Sequence, residues 1–319
     1  MDHLFLATFS SIFQALLKIF LIAAIAGWLA YRKIIKEDLI DGLSKLIVYV
    51  FLPFLTFSTI LRTFDPGTQG YWWWVPLAGI GISLAGLLFA GLLFAGKINE
   101  KKSLFPLASM QNAAYLILPI GEFAFKDQFE EFSLICFLLL LGLNPFMWSV
   151  GKILLTNSTT NGSIFKQILT PPFIANVLAI ALVLTNTHRF VPDVIVDSAG
   201  FLGAATVPVA TFVLGATLAV SMRSIPPFWD TFRVNFVKFI MLPVLVISVL
   251  YLFHTGDKYP LLAQVLIIQA ASAPATAHIL MVRTYGGDLR KTGGIIFVSY
   301  FVCMFAIPLW LTVWSVIIN

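Results

Sequence analysis

Gln111-Asn112-Ala113-Ala114-Tyr115-Leu116-Ile117-Leu118-Pro119-Ile120-Gly121-Glu122 and, far downstream, Gln269-Ala270-Ala271-Ser272-Ala273-Pro274-Ala275-Thr276-Ala277-His278 are the two segments on which the fold turns. Each sets amides, hydroxyls and a proline near the middle of an otherwise apolar run. Proline lacks the N–H that a helix interior needs, and its ring clashes with the preceding turn, so both runs are expected to be broken helices. A break frees backbone N–H and C=O groups, which hydrocarbon cannot satisfy. Such backbone persists only where protein buries it or where it lines a watery cavity.

The composition makes hydrocarbon the expected solvent. The 319 residues are 59% hydrophobic and 11% charged, with a mean hydropathy of +0.94, whereas soluble domains carry about 25% charged residues. Ten apolar stretches of the length a spanning helix needs occupy 9–31, 39–61, 72–96, 103–125, 132–155, 167–187, 195–221, 231–253, 260–283 and 294–317. The first of them lacks a cleavage-type ending and is kept as a span. The connections are short and hold most of the charge, as at Arg32-Lys33, Lys97 to Lys102 and Arg290-Lys291. The net charge of +5 therefore reads as membrane topology rather than as affinity for nucleic acid.

Fifteen Lys and Arg residues fall after the odd-numbered stretches, Lys238 and Arg283 among them. Arg62, Lys126, Arg189 and Lys258 lie on the opposite side, and Lys18 sits inside the first stretch. The positive-inside rule then predicts a multi-pass protein of the cytoplasmic membrane with both termini outside. The polar segment 156–166 becomes a short cytoplasmic linker, so its Asn157-Ser158-Thr159 and Asn161-Gly162-Ser163 triplets are discounted as glycosylation acceptors. Cys136 and Cys303 lie within apolar runs and read as small core residues, with no disulfide framework or thiolate metal site.

Residues 1–155 and 167–319 each hold five stretches, and five is odd, so a duplicated unit would sit upside down relative to the first. Pro53, Thr56 and Phe57 match Pro208, Thr211 and Phe212. Prolines also pair at Pro76 and Pro243, Pro119 and Pro274, and Pro145 and Pro308, although prolines are common in membrane helices generally. The expectation is an all-α polytopic membrane protein of ten transmembrane helices in two inverted five-helix repeats, helices four and nine being broken and crossing. Inverted repeats are the usual frame of a secondary transporter.

At such a crossing, half-helix N-termini offer partial positive charge and free donors to an anion. The candidate substrate-binding set is Gln111, Asn112, Gln269, Thr276 and the backbone around Pro119 and Pro274. Asn112 also admits a plainer reading, an interhelical hydrogen bond. Glu122, His278 and Lys18 are the candidates for ion or proton coupling. Their plainer readings are an interfacial carboxylate, a hydrogen-bonded structural histidine and a snorkelling lysine. Asn144-Pro145 either helps line the site or only kinks its helix, and Arg283 is most simply a positive-inside anchor. No metal or cofactor motif occurs. The absence of Asp-x-x-x-Asp and His-Glu-x-x-His argues against an intramembrane enzyme.

These two segments resemble the auxin efflux carrier family, which includes the plant PIN proteins and bacterial permeases. The resemblance rests on Asn112 followed by Pro119, and on Gln269-Ala270-Ala271 through Arg283-Thr284-Tyr285 and Gly286-Gly287. The short central linker fits the bacterial members. The resemblance implies a fold shared with bile-acid symporters, with helices one, two, six and seven as scaffold and homodimer interface. Helices three to five and eight to ten would form a mobile transport domain. It also implies elevator-type transport of a small organic anion, either a dicarboxylate such as malate or malonate or an auxin-like carboxylate. A sodium-coupled symporter of the bile-acid type and a carrier-like receptor or sensor stay open as alternatives. Pro274 lies one residue from a family Gln and His278 stands where the PINs have a further proline, so auxin specificity is not carried over.

Overall fold

In a computed structural model, which describes residues 2–156, 168–222, 225–285 and 287–318, the chain is helical throughout apart from short connections. In chain order the main helices are α1 Asp2–Tyr31, α2 Glu37–Thr63, α3 Val75–Leu93, α4 Phe105–Ser109, α5 Ile117–Ala124 and α6 Lys126–Leu155. They continue as α7 Pro171–Leu184, α8 Asp193–Ser221, α9 Phe228–Leu252, α10 Pro260–Ala270, α11 Ala277–Tyr285 and α12 Leu289–Ile317. Each of the ten apolar stretches is occupied by helix. Seven helices, α1, α2, α3, α6, α8, α9 and α12, are long and apolar enough to cross a membrane, and α7 and α10 are shorter apolar helices. Stretches four and nine are each split in two, as α4/α5 and α10/α11. The proposed linker from 157 onward, with its two triplets, along with Arg223 and Gly286, lies outside the described residues.

Prolines shape these helices. Pro53 and Pro243 each follow a π-helical turn, at Ile47–Phe51 and Val237–Met241. A widened turn relieves the clash between a proline ring and the carbonyl four residues earlier. Pro208, which matches Pro53 in sequence, follows a loosened turn at Ala204–Ala205 between Asp193–Gly203 and Thr206–Ser221. Pro145 instead precedes its π-turn at Met147–Gly151, where the Ser149 hydroxyl donates to the Pro145 carbonyl at 2.6 Å.

Helix α1 lies along the second half of α8 and along α12, α2 packs on α7 and the first half of α8, and α3 packs on α6. Small residues set the closest approach. A Cβ on Gly27 would stand 3.2 Å from the Gly215 carbonyl oxygen and 3.4 Å from the Ala219 Cβ, the kind of contact by which membrane helices associate without a hydrophobic driving force. The outward ridge of α1 carries Leu17, Leu21, Ile25 and Trp28, all exposed, and α3 exposes Leu77, Leu84, Leu88 and Leu92. Apolar ridges this long suit lipid and not water.

Polar ties fix the ends. Asp230 on α9 accepts from Lys101 at 2.8 Å and Lys291 at 2.7 Å, joining three segments. Before α3, the Tyr71 hydroxyl donates to Glu131 at 3.4 Å and its ring meets Tyr259 edge-on at 5.0 Å. Burial, and then the Glu131 carboxylate, hold the Tyr71 phenol well above its ordinary pKa.

Candidate functional site

The two interruptions meet. Residues 110–116 and 271–276 run antiparallel past each other, bridged at Gln111 and Pro274. The Asn112 N–H donates to the Ala273 carbonyl at 3.0 Å, and the Ala275 N–H donates to the Met110 carbonyl at 3.2 Å. Backbone groups freed by one break are thus satisfied by the other, as burial away from water requires. This explains how two irregular segments persist in an apolar interior.

The breaks are placed differently relative to their prolines. Pro274 lies inside its interruption, at the bridge. Pro119 sits at the third position of α5, after the interruption. The Leu118 N–H reaches the Ala114 carbonyl at 3.2 Å and the Ile120 N–H the Leu116 carbonyl at 3.3 Å, so the helical turn continues past the ring. The break at 110–116 is therefore not made by Pro119. It is held by Asn112, whose side-chain oxygen accepts from the Tyr115 N–H at 3.0 Å while its amide donates to the Tyr300 hydroxyl of α12 at 2.5 Å.

A cavity of about 310 Å³ lies against the crossing, walled by residues 110–115 and 275–277 together with Asn144, Trp148 and Thr217 from α6 and α8. Of the candidate residues, Gln111, Asn112 and Thr276 line it, and Pro119, Gln269, Pro274, Glu122, His278 and Lys18 do not. Gln111 is buried, and neither its Nε2 nor its Oε1 has a hydrogen-bond partner. Gln269 is likewise buried and unpartnered. His278 is buried without a hydrogen bond of normal geometry, the Pro106 carbonyl facing its ring. Glu122 is half-buried on α5. Lys18 is exposed, with its ammonium 5.6 Å from the centre of the Phe123 ring.

Three charges stand at the cavity's edge. Arg283 of α11 faces Glu37 at 3.6 Å and Asp41 at 3.9 Å, both from the first turns of α2, and all three line the cavity. Sequence reasoning had Arg283 only as an anchor and did not single out the two carboxylates. The positive-inside count also takes Lys238 for an anchor, and the structure overturns that. Lys238 has no accessible surface, and its Nζ donates to the Met110 carbonyl at 3.3 Å, at the crossing itself. A signal was present: Lys238 comes ten residues after Phe228, the first of α9, or about 15 Å along a helix. That depth is half of a ~30 Å hydrocarbon core. Tyr300 was missed because nothing local distinguishes it within α12.

Among the described residues, no group of three or more His, Cys, Asp or Glu side chains forms a metal site.

Long apolar helices around two interrupted, hydrogen-bonded helices and a small cavity define a multi-pass membrane protein built to carry a solute. The chain belongs to the auxin efflux carrier-like family of membrane transport proteins, the family described as Membrane transport protein matching residues 11–311. It is also 23% identical over 282 residues to a protein described as an uncharacterized transporter from Methanocaldococcus jannaschii, across 87% of this chain and 90% of that one.

Proposed function

We infer that the protein is a secondary active transporter of a small organic anion, a dicarboxylate such as malate or malonate or an auxin-like carboxylate. It works across the cytoplasmic membrane with both termini outside. The observation that carries this reading is the pair of antiparallel breaks joined backbone to backbone against one cavity. The chain entering α5 and α11, at 113–115 and 276–277, lines that cavity, so an anion there would meet the positive ends of two half-helices. A volume of about 310 Å³ lies at the small end of ligand sites. Gln111, buried and unpartnered on the wall, is the side chain a substrate would satisfy, and Thr276 adds a hydroxyl. Asn112 orders the break. Pro119, Gln269 and Pro274 act behind the wall on the backbone.

Transport follows an elevator in which α3–α6 and α9–α12 move against a scaffold of α1, α2, α7 and α8, the scaffold also pairing two copies. The Arg283 contacts to Glu37 and Asp41 link the two groups of helices at the cavity's mouth and open as it moves. Glu122, His278 and Lys18 do not line the cavity, so any proton coupling through them would act at a distance from the substrate.

The test is uptake of radiolabelled malate, malonate and indole-3-acetate into proteoliposomes under imposed sodium, proton and potential gradients. Saturable flux that Gln111→Ala reduces while the protein stays folded supports the reading and names the coupling. Saturable binding without flux would replace it with a receptor. Silence for every anion under every gradient would overturn the substrate class.

A further inference from the structure

Lys238 is a buried basic side chain that the transport reading above does not use. It has no accessible surface, and among the described residues no carboxylate pairs with it. Asp230, on the same helix, is taken by Lys101 and Lys291. Its one hydrogen bond, to the Met110 carbonyl, is made just past the end of α4. That oxygen also accepts the Ala275 N–H, so the ammonium touches the junction of both breaks. Its titratable neighbours are His278 of α11 and Cys303 of α12, whose thiol leans 3.6 Å from the Ala271 carbonyl just past the end of α10.

The carbonyl just past α4 thus takes the ammonium directly, and the one just past α10 lies one side chain further, across Cys303. Helix C-termini carry partial negative charge, and in broken-helix carriers such ends are where a mobile cation is coordinated. An ammonium buried without a carboxylate persists only if those dipoles answer it. Lys238 is tethered to α9, so it cannot leave between cycles.

We propose that the Lys238 ammonium is a resident cation at the crossing, occupying the place a coupling ion would take and holding the two breaks in register for the anion. It is a positioning residue, without contact to the cavity. The inference rests on the transport reading, but the melting arm of its test does not depend on the substrate.

Purified wild type, Lys238→Ala and Lys238→Met are melted in sodium chloride and in choline chloride, and assayed for malate uptake in the same salts with and without methylammonium. Wild type should melt and transport alike in both salts. Lys238→Ala should lose uptake by about tenfold or more, the worth of one charge-assisted hydrogen bond. It should melt higher in sodium than in choline, and regain part of its uptake in sodium or with methylammonium. In Lys238→Met the side chain fills the space, so it should fold and stay inactive whatever the cation. A sodium-dependent wild type, a Lys238→Ala whose melting ignores the cation, or a Lys238→Met with full uptake would each overturn the proposal. If wild type moves no anion at all, the carrier reading fails, and the melting shift of Lys238→Ala alone decides this one.

Discussion

Asn112 uses both polar atoms of its side chain within the protein, one on Tyr115 and one on Tyr300. Asn112→Ala would leave a buried hydroxyl and an N–H unsatisfied, costing about 1–3 kcal/mol, near the lower figure if membrane hydrogen bonds are the guide. The variant should melt several degrees lower and lose uptake. Tyr300→Phe removes only the second bond and should keep most of both. If Tyr300→Phe abolishes uptake as fully as Asn112→Ala does, the Tyr300 contact, and not the ordering of the break, is what matters. Gln111 is the opposite case. Its buried amide has no partner to lose, so Gln111→Ala should leave the melting temperature unchanged or raised while substrate affinity falls. Saturation binding beside a melt reads both. Pro119→Ala, in the first turn of α5, should change uptake less than twofold, because the Leu118 and Ile120 N–H groups already reach the Ala114 and Leu116 carbonyls on either side of the ring.

Between elements, packing rests on places where backbones approach. A Cβ on Gly215 of α8 would collide with the backbone of Ala23 on α1, whereas one on Gly42 of α2 meets nothing within 4 Å. Gly215→Val should therefore cost about 1–3 kcal/mol by overpacking. Gly42→Ala should gain about 0.5–1 kcal/mol from reduced chain entropy. Melting in detergent separates the two, and equal effects would mean that α1 and α8 are not packed this closely in the purified protein. Across the cavity's mouth, Arg283 makes long contacts to partly exposed carboxylates. Such pairs are worth about 0–1 kcal/mol, so Arg283→Ala should barely alter stability. Its effect should appear in transport rate, since the contacts link the two groups of helices that the proposed elevator would separate.

At the scale of the whole molecule, the cavity is bounded at its charged end by Glu37, Asp41 and Arg283, with Ser44 one turn deeper on α2. Cys136 and Cys303 are both free and buried, so the unaltered protein should resist a membrane-impermeant thiol reagent. Ser44→Cys should react, and only from the cytoplasmic side if both termini are outside. Labelling from the outside alone would reverse the proposed orientation. Added substrate should slow the labelling if it occupies the same cavity.

The class of the protein is legible in its residues alone. Apolar stretches of spanning length hold helix wherever they were marked, because hydrocarbon leaves the backbone little choice but to bond within its own segment. The residues also mark the two segments that break, since amides and prolines at mid-span cannot all be satisfied by a straight helix. Tertiary structure alone decided how those breaks are satisfied. The Met110 and Ala273 carbonyls, the Asn112 and Ala275 amides and the Tyr300 hydroxyl come from segments more than 150 residues apart, and no local pattern links them. It likewise took Lys238 from a tally of surface anchors to the centre of the crossing. Counting charges gives the side of the membrane to which a loop belongs, but a lysine's depth and partner depend on which helices close around it.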